Sequence, residues 1–112
     1  MPRIFALGTI GGTTVTNGLV LPVVTKSSNY TATATDYLIL CDASGGAFTI
    51  SLLASATVTG RQYTIKKIDS SGNSVAIDGN GSETIDGTTT KSLNLQYDSI
   101  TIQSDGSNWF II

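Results

Sequence analysis

The chain of 112 residues is long enough for one small domain with a modest hydrophobic core. Only 12% of its residues are charged, the net charge is −2, and it contains no histidine. The absence of histidine excludes Ser-His and Cys-His nucleophilic centres and His-ligated metals. Six scattered basic residues do not form the patch that nucleic acids require. We therefore expect a protein that is not an enzyme and binds no nucleic acid.

The composition favours strands over helices. Gly, Ser, Thr and Asn occupy 48 of the 112 positions, and these residues compete with or loosen the helical backbone. The apolar stretch Ile4–Leu7 ends at Gly8, which is too short for a secretion signal. Nothing approaches the roughly 20 apolar residues of a membrane-spanning helix. We expect a soluble protein that is made in a cytoplasm and has no membrane partner.

The first part of the chain has no regular period. Arg3 is its only charged residue up to Thr25. The run 8–14 superficially resembles a phosphate-binding loop but lacks the Gly-Lys-Ser/Thr ending, so an extended segment is favoured. Pro22 restricts the run 19–24 to an edge strand or an extended arm. We predict that residues 1–28 form an extended N-terminal arm and that its apolar side chains contact a partner; these are Ile4, Phe5, Leu7, Ile10 and Val15.

From Tyr30 onward, short apolar alternations are separated by turn signals at intervals of roughly 8 to 12 residues. The predicted strands are 30–34, 37–41, 48–52, 61–68, 75–77, 93–97, 100–102 and 109–112. The alternation slips at Lys66-Lys67, which indicates a β-bulge or a strand end. No internal repeat is strong enough for a solenoid. The pattern predicts an all-β fold in which residues 29–112 form an antiparallel, jelly-roll-like β-sandwich.

Candidate chemical sites are few. The loop from Asp78 to Glu83 carries oxygen ligands that suit Ca²⁺, but Glu83 stands where an EF-hand needs Gly, and Thr89 stands where it needs Glu. A plain hairpin turn is favoured there. Most Asp residues fall in turns, which leaves no candidate carboxylate pair for glycoside hydrolysis. Cys41 is the only cysteine and is predicted to be a small core residue. We expect no catalytic, cofactor-binding or metal site.

The chain holds more apolar sequence than one small sandwich buries. Its mean hydropathy is +0.18 despite the scarcity of charge, and the runs 4–7 and 19–24 exceed what the core needs. Burial in a homo-oligomer or a larger assembly explains this excess; edge strands of the same domain are the alternative. Most aromatic residues are in phase with Ile or Leu and are predicted to lie in the core. Phe5 and Tyr30 are exceptions that could face a partner.

Five short motifs follow one another along the chain: YLILCD at 37–42, GGAFTISL at 45–52, GRQYTIKK at 60–67, IDG at 85–87 and SDGSNWFI at 104–111. On these motifs, residues 30–112 resemble a structural module common in the virion proteins of tailed bacteriophages. One departure is Leu53-Ala54, where the module has Leu-Pro. The module carries no catalytic set, so the resemblance transfers no functional residue.

The resemblance implies a non-enzymatic virion protein without a cofactor. A module that stands almost alone, with an apolar arm, is similar to capsid decoration (cement) proteins, which are small, β-rich and often trimeric. The expected partners are the major capsid protein and two further copies of the chain, and the expected location is the outer surface of the phage head. The arm would order by strand addition on the capsid protein, and trimerisation would add multivalency. The alternative is a tail-fibre or receptor-binding component that contacts host surface glycans.

Overall fold

A computed structural model describes residues 8–10, 13–15 and 18–112. Their regular secondary structure is all strand apart from one short 3-10 turn at Ser55–Thr57, so the predicted all-β class is confirmed. In this part of the chain no helix has the length and apolar character needed to cross a membrane. The described strands are β1 (Gly8–Ile10), β2 (Thr13–Val15), β3 (Val23–Lys26), β4 (Tyr30–Thr31), β5 (Leu38–Cys41), β6 (Phe48–Ser51), β7 (Gln62–Lys67), β8 (Val75–Asp78), β9 (Thr90–Leu93), β10 (Ser99–Ser104) and β11 (Trp109–Ile111).

The main body contains two sheets. One has five strands in the order β11-β10-β7-β5-β3, and the other has four in the order β4-β6-β8-β9. From β3 to β8 the chain alternates between them, so each pass adds one strand to each sheet. Strands that become neighbours through this alternation pair in parallel. The later strands β9, β10 and β11 then pair antiparallel. β1 and β2 form a separate antiparallel pair.

The sheets are therefore mixed, and the prediction of an antiparallel sandwich is wrong on this point. It assumed that consecutive strands pair with each other, as in hairpins. From β3 to β8, consecutive strands enter opposite sheets, so neighbours in a sheet are joined by a crossover and run in the same direction. The jelly-roll connectivity is not confirmed. The segment from β3 to β8 has no regular sequence repeat because the connections between paired strands differ in length. Val23 pairs with Leu38, whereas Leu38 pairs with Thr64, which is further along the chain.

The two sheets share one hydrophobic core. Strand alternation directs Ile39 and Ile65 inward from the five-stranded sheet, and Ile50 and Ile77 inward from the four-stranded sheet; all four are fully buried. Trp109 on β11 is also fully buried, and its ring centroid lies 5.5 Å from that of Tyr63 on β7. The core therefore depends on side chains from both halves of the described sequence.

One predicted strand is wrong. The alternation of Leu93, Leu95 and Tyr97 suggested a strand over 93–97, but β9 ends at Leu93. A turn follows, in which the Asp98 carboxylate accepts the N–H groups of Asn94 and Leu95. Tyr97 adopts a left-handed backbone with φ 69°. Local hydrogen bonding to Asp98 thus overrides the strand pattern.

Candidate interaction surface

All eight carboxylates of the chain accept hydrogen bonds from the chain itself. Backbone N–H groups are the donors to most of them, as expected for side chains that close turns. No cluster of three or more metal-ligating side chains occurs among the described residues. The pairs, acceptor first, are Asp36 with Thr33, Asp42 with Ser44, Asp69 with Ala43, Asp78 with Thr90, Glu83 with Ser55, Asp86 with Ile111, Asp98 with Leu95, and Asp105 with Asn108.

The calcium candidate at 78–83 is built as a turn. Asp78 accepts the Thr90 hydroxyl at 3.0 Å, while Glu83 reaches away to the Ser55 N–H at 2.9 Å. The two carboxylates thus bind different parts of the chain. Gly79 lies so close to the opposite side of the turn that an added Cβ would be 2.3 Å from the Glu83 carbonyl oxygen. This tight backbone contact supports the hairpin-turn interpretation of the loop.

A buried ion pair lies where β7 ends. Lys67 keeps the strand alternation, points inward and is fully buried. Its Nζ donates to Asp69 Oδ2 at 2.7 Å and to the Asp69 carbonyl at 3.2 Å. The sequence pattern predicts a slip of the alternation at Lys66-Lys67. The strand does end at Lys67, but the alternation does not slip. The signal for this burial is the Asp69 carboxylate two residues further on, which pairs with the ammonium group.

Asp69 also joins two neighbouring loops. Its Oδ1 accepts the Ala43 N–H at 2.7 Å, and its Oδ2 accepts the N–H and hydroxyl of Ser71. Burial opposes ionisation of Asp69, but the hydrogen bonds from Lys67 and Ser71 outweigh it and hold its pKa well below the ordinary value. These contacts account for both charges, so the pair is a structural junction and not a reactive site.

Cys41 is a core residue, as predicted. Its side chain is fully buried, and burial raises the pKa of the thiol to about 12. A thiol in this environment is protonated at neutral pH and does not act as a nucleophile.

The exposed apolar residues remain as the candidate functional feature. One group precedes and begins β3: Leu19, Leu21 and Val23 are 56%, 39% and 58% exposed. Leu19 and Leu21 line an open groove of about 640 Å³ together with Tyr37, Val58 and Arg61. We call the segment 19–23 and this groove the β3 patch. The excess of apolar sequence in the run 19–24 pointed to this feature, and the edge-strand interpretation holds for Val23 and Val24.

The backbone of β3 is open on one side. The Pro22 carbonyl accepts the Leu38 N–H at 3.1 Å, and the Lys26 carbonyl accepts the Asp42 N–H at 2.9 Å. Alternation in the ladder therefore turns the backbone groups of Val23 and Thr25 away from β5. No described strand pairs on that side. An unpaired, β-branched edge of this kind can accept a further strand.

The structure describes only two of the five predicted arm residues. Ile4, Phe5 and Leu7 lie outside the described residues. Ile10 and Val15 belong to the β1–β2 pair, where Ile10 is opposite Thr13 and Val15 is opposite Gly8. The extended arm is not confirmed, and its predicted span overlaps β3, which is part of the five-stranded sheet.

The aromatic residues divide differently from the prediction. Phe48, Tyr63 and Trp109 are buried, but Tyr97 and Phe110 are 60% and 46% exposed. Tyr30 is half-buried. It donates to Asp36 Oδ2 at 2.6 Å, and the Lys26 ammonium lies 4.1 Å from its ring centroid. Tyr30 is thus engaged within the chain. Comparison with protein-family models gives no match for this chain, and comparison with curated proteins gives none either.

Proposed function

We propose that this protein is a non-enzymatic virion structural protein: a capsid decoration protein that binds the major capsid protein lattice as a homotrimer and stabilises the phage head. The observation that carries the proposal is the β3 patch, where apolar side chains and an open strand edge are exposed together. Exposed apolar surface of this kind marks an interaction site, because a partner that covers it removes apolar side chains from water. The ordered motifs shared with virion modules supply the class of partner.

The chemistry of the chain supports a role in binding. All its carboxylates hold the fold together, and its one thiol is buried. In the proposed arrangement, the N-terminal residues Ile4, Phe5, Leu7, Ile10 and Val15 contact the capsid protein, and the protein lies on the outer surface of the head. It takes no cofactor and contacts neither nucleic acid nor membrane.

Copy number tests the proposal. Quantitative mass spectrometry of purified virions, scaled to the major capsid protein, should find hundreds of copies in a simple ratio to the lattice. A count of a few to a few tens would place the protein on the tail instead, because tail symmetry offers few sites. Absence from the virion would refute both locations.

A deletion tests the arm. Removal of residues 2–15 should leave the domain folded, with an unchanged far-UV spectrum, and abolish its binding to particles that lack the wild-type protein. Unfolding of the shortened chain would refute the arm hypothesis, as would undiminished binding.

One observation favours the alternative, a tail-fibre or receptor-binding component. Leu95 and Tyr97 are both exposed on the turn before β10, and an exposed aromatic ring offers an apolar face on which a sugar could stack. If this is the function, Tyr97→Ala should abolish binding to host-surface glycans, and Tyr97→Phe should retain it. Lack of glycan binding by the wild-type protein would refute this alternative.

A further inference from the structure

One edge of the five-stranded sheet is covered by the chain itself. β11 is the outermost strand on that side, and both of its outward N–H groups are bonded. The Trp109 N–H donates to the Thr84 carbonyl at 2.9 Å, and the Ile111 N–H donates to Asp86 Oδ1 at 3.0 Å. The segment 84–86 therefore occupies the place that a further strand would take beside β11.

The opposite edge of the same sheet is β3, which has no such cover in the described part of the chain. The backbone groups of Val23 and Thr25 that point away from β5 have no hydrogen-bond partner among the described residues. Both residues are β-branched and exposed, as suits a strand that pairs with another. The five-stranded sheet can therefore be extended at β3 and not at β11.

The four-stranded sheet offers a second edge for comparison, at β9. The Gly79 N–H donates to the Thr89 carbonyl, so alternation in the ladder turns the backbone groups of Thr90 and Ser92 outward. Lys91 lies between these two residues, and a charged side chain on an edge strand discourages pairing. The side chains of β9 are thus polar or charged up to its last residue, and β3 is the edge better suited to accept a strand.

The groove of the β3 patch lies where three parallel strands begin. Leu21, Tyr37 and Arg61 line it, and they come one or two residues before β3, β5 and β7. These strands are paired in parallel, so their first residues lie at one end of the sheet. A segment paired with β3 would reach the groove at that end. The groove volume of about 640 Å³ suits a few side chains, since ligand sites of about 300–1,000 Å³ are typical.

Arg61 gives the groove a positive charge. No described residue that lines the groove carries a carboxylate, and the ion pair found within the described part of the chain joins Lys67 to Asp69 instead. An arginine binds a carboxylate through two parallel N–H···O bonds. The charge of the groove therefore favours an occupant with an acidic side chain among apolar ones.

We propose that an extended segment of the capsid protein, apolar and with one acidic side chain, pairs as an additional strand with β3 and continues into the groove, where its carboxylate binds Arg61. Backbone bonds to Val23 and Thr25 supply affinity, and contacts with Leu19, Leu21 and Arg61 select the segment. This inference rests on the proposed capsid partner and names the chemistry of the segment that the partner presents.

A proline substitution tests the backbone pairing. Thr25→Pro removes an N–H that points away from β5, and edge strands tolerate proline at such positions. It should leave the melting temperature nearly unchanged and raise the dissociation constant for particles that lack the wild-type protein at least about tenfold. Two matched controls should bind like the wild type: Thr25→Val keeps the N–H, and Ser92→Pro removes an outward N–H from β9.

Hydrogen exchange tests the same pairing without a substitution, and it replaces Thr25→Pro if that variant unfolds. In the free protein, the amides of Val23 and Thr25 should exchange rapidly, whereas those of Val24 and Lys26, which face β5, should be protected. On the particle, Val23 and Thr25 should become protected as well.

Charge removal tests the acidic contact. Arg61→Gln should raise the dissociation constant for the particles about fivefold and make binding less sensitive to salt. Lys91→Gln, which removes a positive charge from the four-stranded sheet, is the matched control and should change neither quantity.

The outcomes separate this inference from the proposed function. Normal particle binding by Thr25→Pro, or unprotected Val23 and Thr25 amides on the particle, would overturn the strand pairing. Normal binding and salt dependence of Arg61→Gln would overturn the acidic contact. If Thr25→Pro abolished self-association of the free protein and left particle binding intact, the occupant would be a second copy and the inference would be wrong. In all these cases the wild type still binds particles, and only a wild type that does not bind would overturn the proposed function as well.

Discussion

Replacing Trp109 should reveal how much of the stability depends on β11. Trp109 is fully buried, while Phe110, the next residue, is 46% exposed on the opposite face. A buried aromatic side chain covers about 200 Å², which at about 25 cal/mol per Å² corresponds to about 5 kcal/mol. Truncations of this kind cost about 3–5 kcal/mol in proteins. We expect Trp109→Ala to lose about 4 kcal/mol, a large part of the stability of a small domain.

Trp109→Phe shows how much of this loss a retained aromatic ring prevents. The indole Nε1 has no hydrogen-bond partner within the described residues, and a buried unpaired donor costs about 1–3 kcal/mol. Phenylalanine removes that donor and keeps a ring near Tyr63, although it leaves a smaller void. We therefore expect Trp109→Phe to cost less than half as much as Trp109→Ala.

Urea unfolding followed by far-UV circular dichroism measures these differences without relying on tryptophan fluorescence. Phe110→Ala is the control and should change the free energy of unfolding by less than about 1 kcal/mol at dilute protein concentration. If Phe110→Ala cost as much as Trp109→Ala, the assignment of inward and outward faces on β11 would be wrong. An equal cost for Trp109→Phe and Trp109→Ala would refute a stabilising role for an aromatic ring packed near Tyr63.

Three further outcomes are expected. Asp69→Asn should lower the melting temperature at pH 7 because it leaves Lys67 buried beside a neutral side chain. In the wild type, the pKa of Asp69 is lowered, so the ionised carboxylate stabilises the fold above the ordinary carboxyl pKa. This stabilisation is lost as the pH falls toward the pKa of Asp69 in the folded protein. A wild-type melting temperature no higher than that of Asp69→Asn at pH 7 would contradict this. Cys41 should resist alkylation at pH 8 in the native protein and react fully in denaturant; rapid native labelling would show that it is accessible. Gly79→Ala should destabilise by about 1–3 kcal/mol through overpacking, whereas Gly45→Ala, which meets no atom within 4 Å, should have little effect; equal melting temperatures would contradict the tight turn.

Most strand positions could be predicted from sequence because side-chain alternation is a local property. Phe48 and Ile50, and likewise Val75 and Ile77, lie on one face of a strand whichever way that strand runs. The direction of pairing depends instead on where each loop leads. The loop between β5 and β6 crosses to the other sheet, and nothing in the strand pattern distinguishes a crossover from a hairpin.

The candidate surface could be predicted only in part. The surplus of apolar residues in the run 19–24 indicated an uncovered surface because a domain of this size buries only a limited number of apolar side chains. The alternation Trp109-Phe110 gave no such signal, since both residues are aromatic and either could face the core. The burial of Lys67 could not be predicted from the strand pattern, because a lysine in a strand is expected to face solvent unless a carboxylate partner is identified for it.

The position of β10 in the five-stranded sheet has a consequence for folding. β10 pairs with β7, placing Ile100 opposite Ile65 and Ile102 opposite Tyr63, and β11 then adds Trp109. A nascent chain on the ribosome therefore presents β7 with an open edge and an incomplete core until residues 99–111 have been synthesised. Such an intermediate is prone to aggregation. Pairing between distant segments also makes folding slow, so the synthesis of residues 99–111 controls when the native sheet closes.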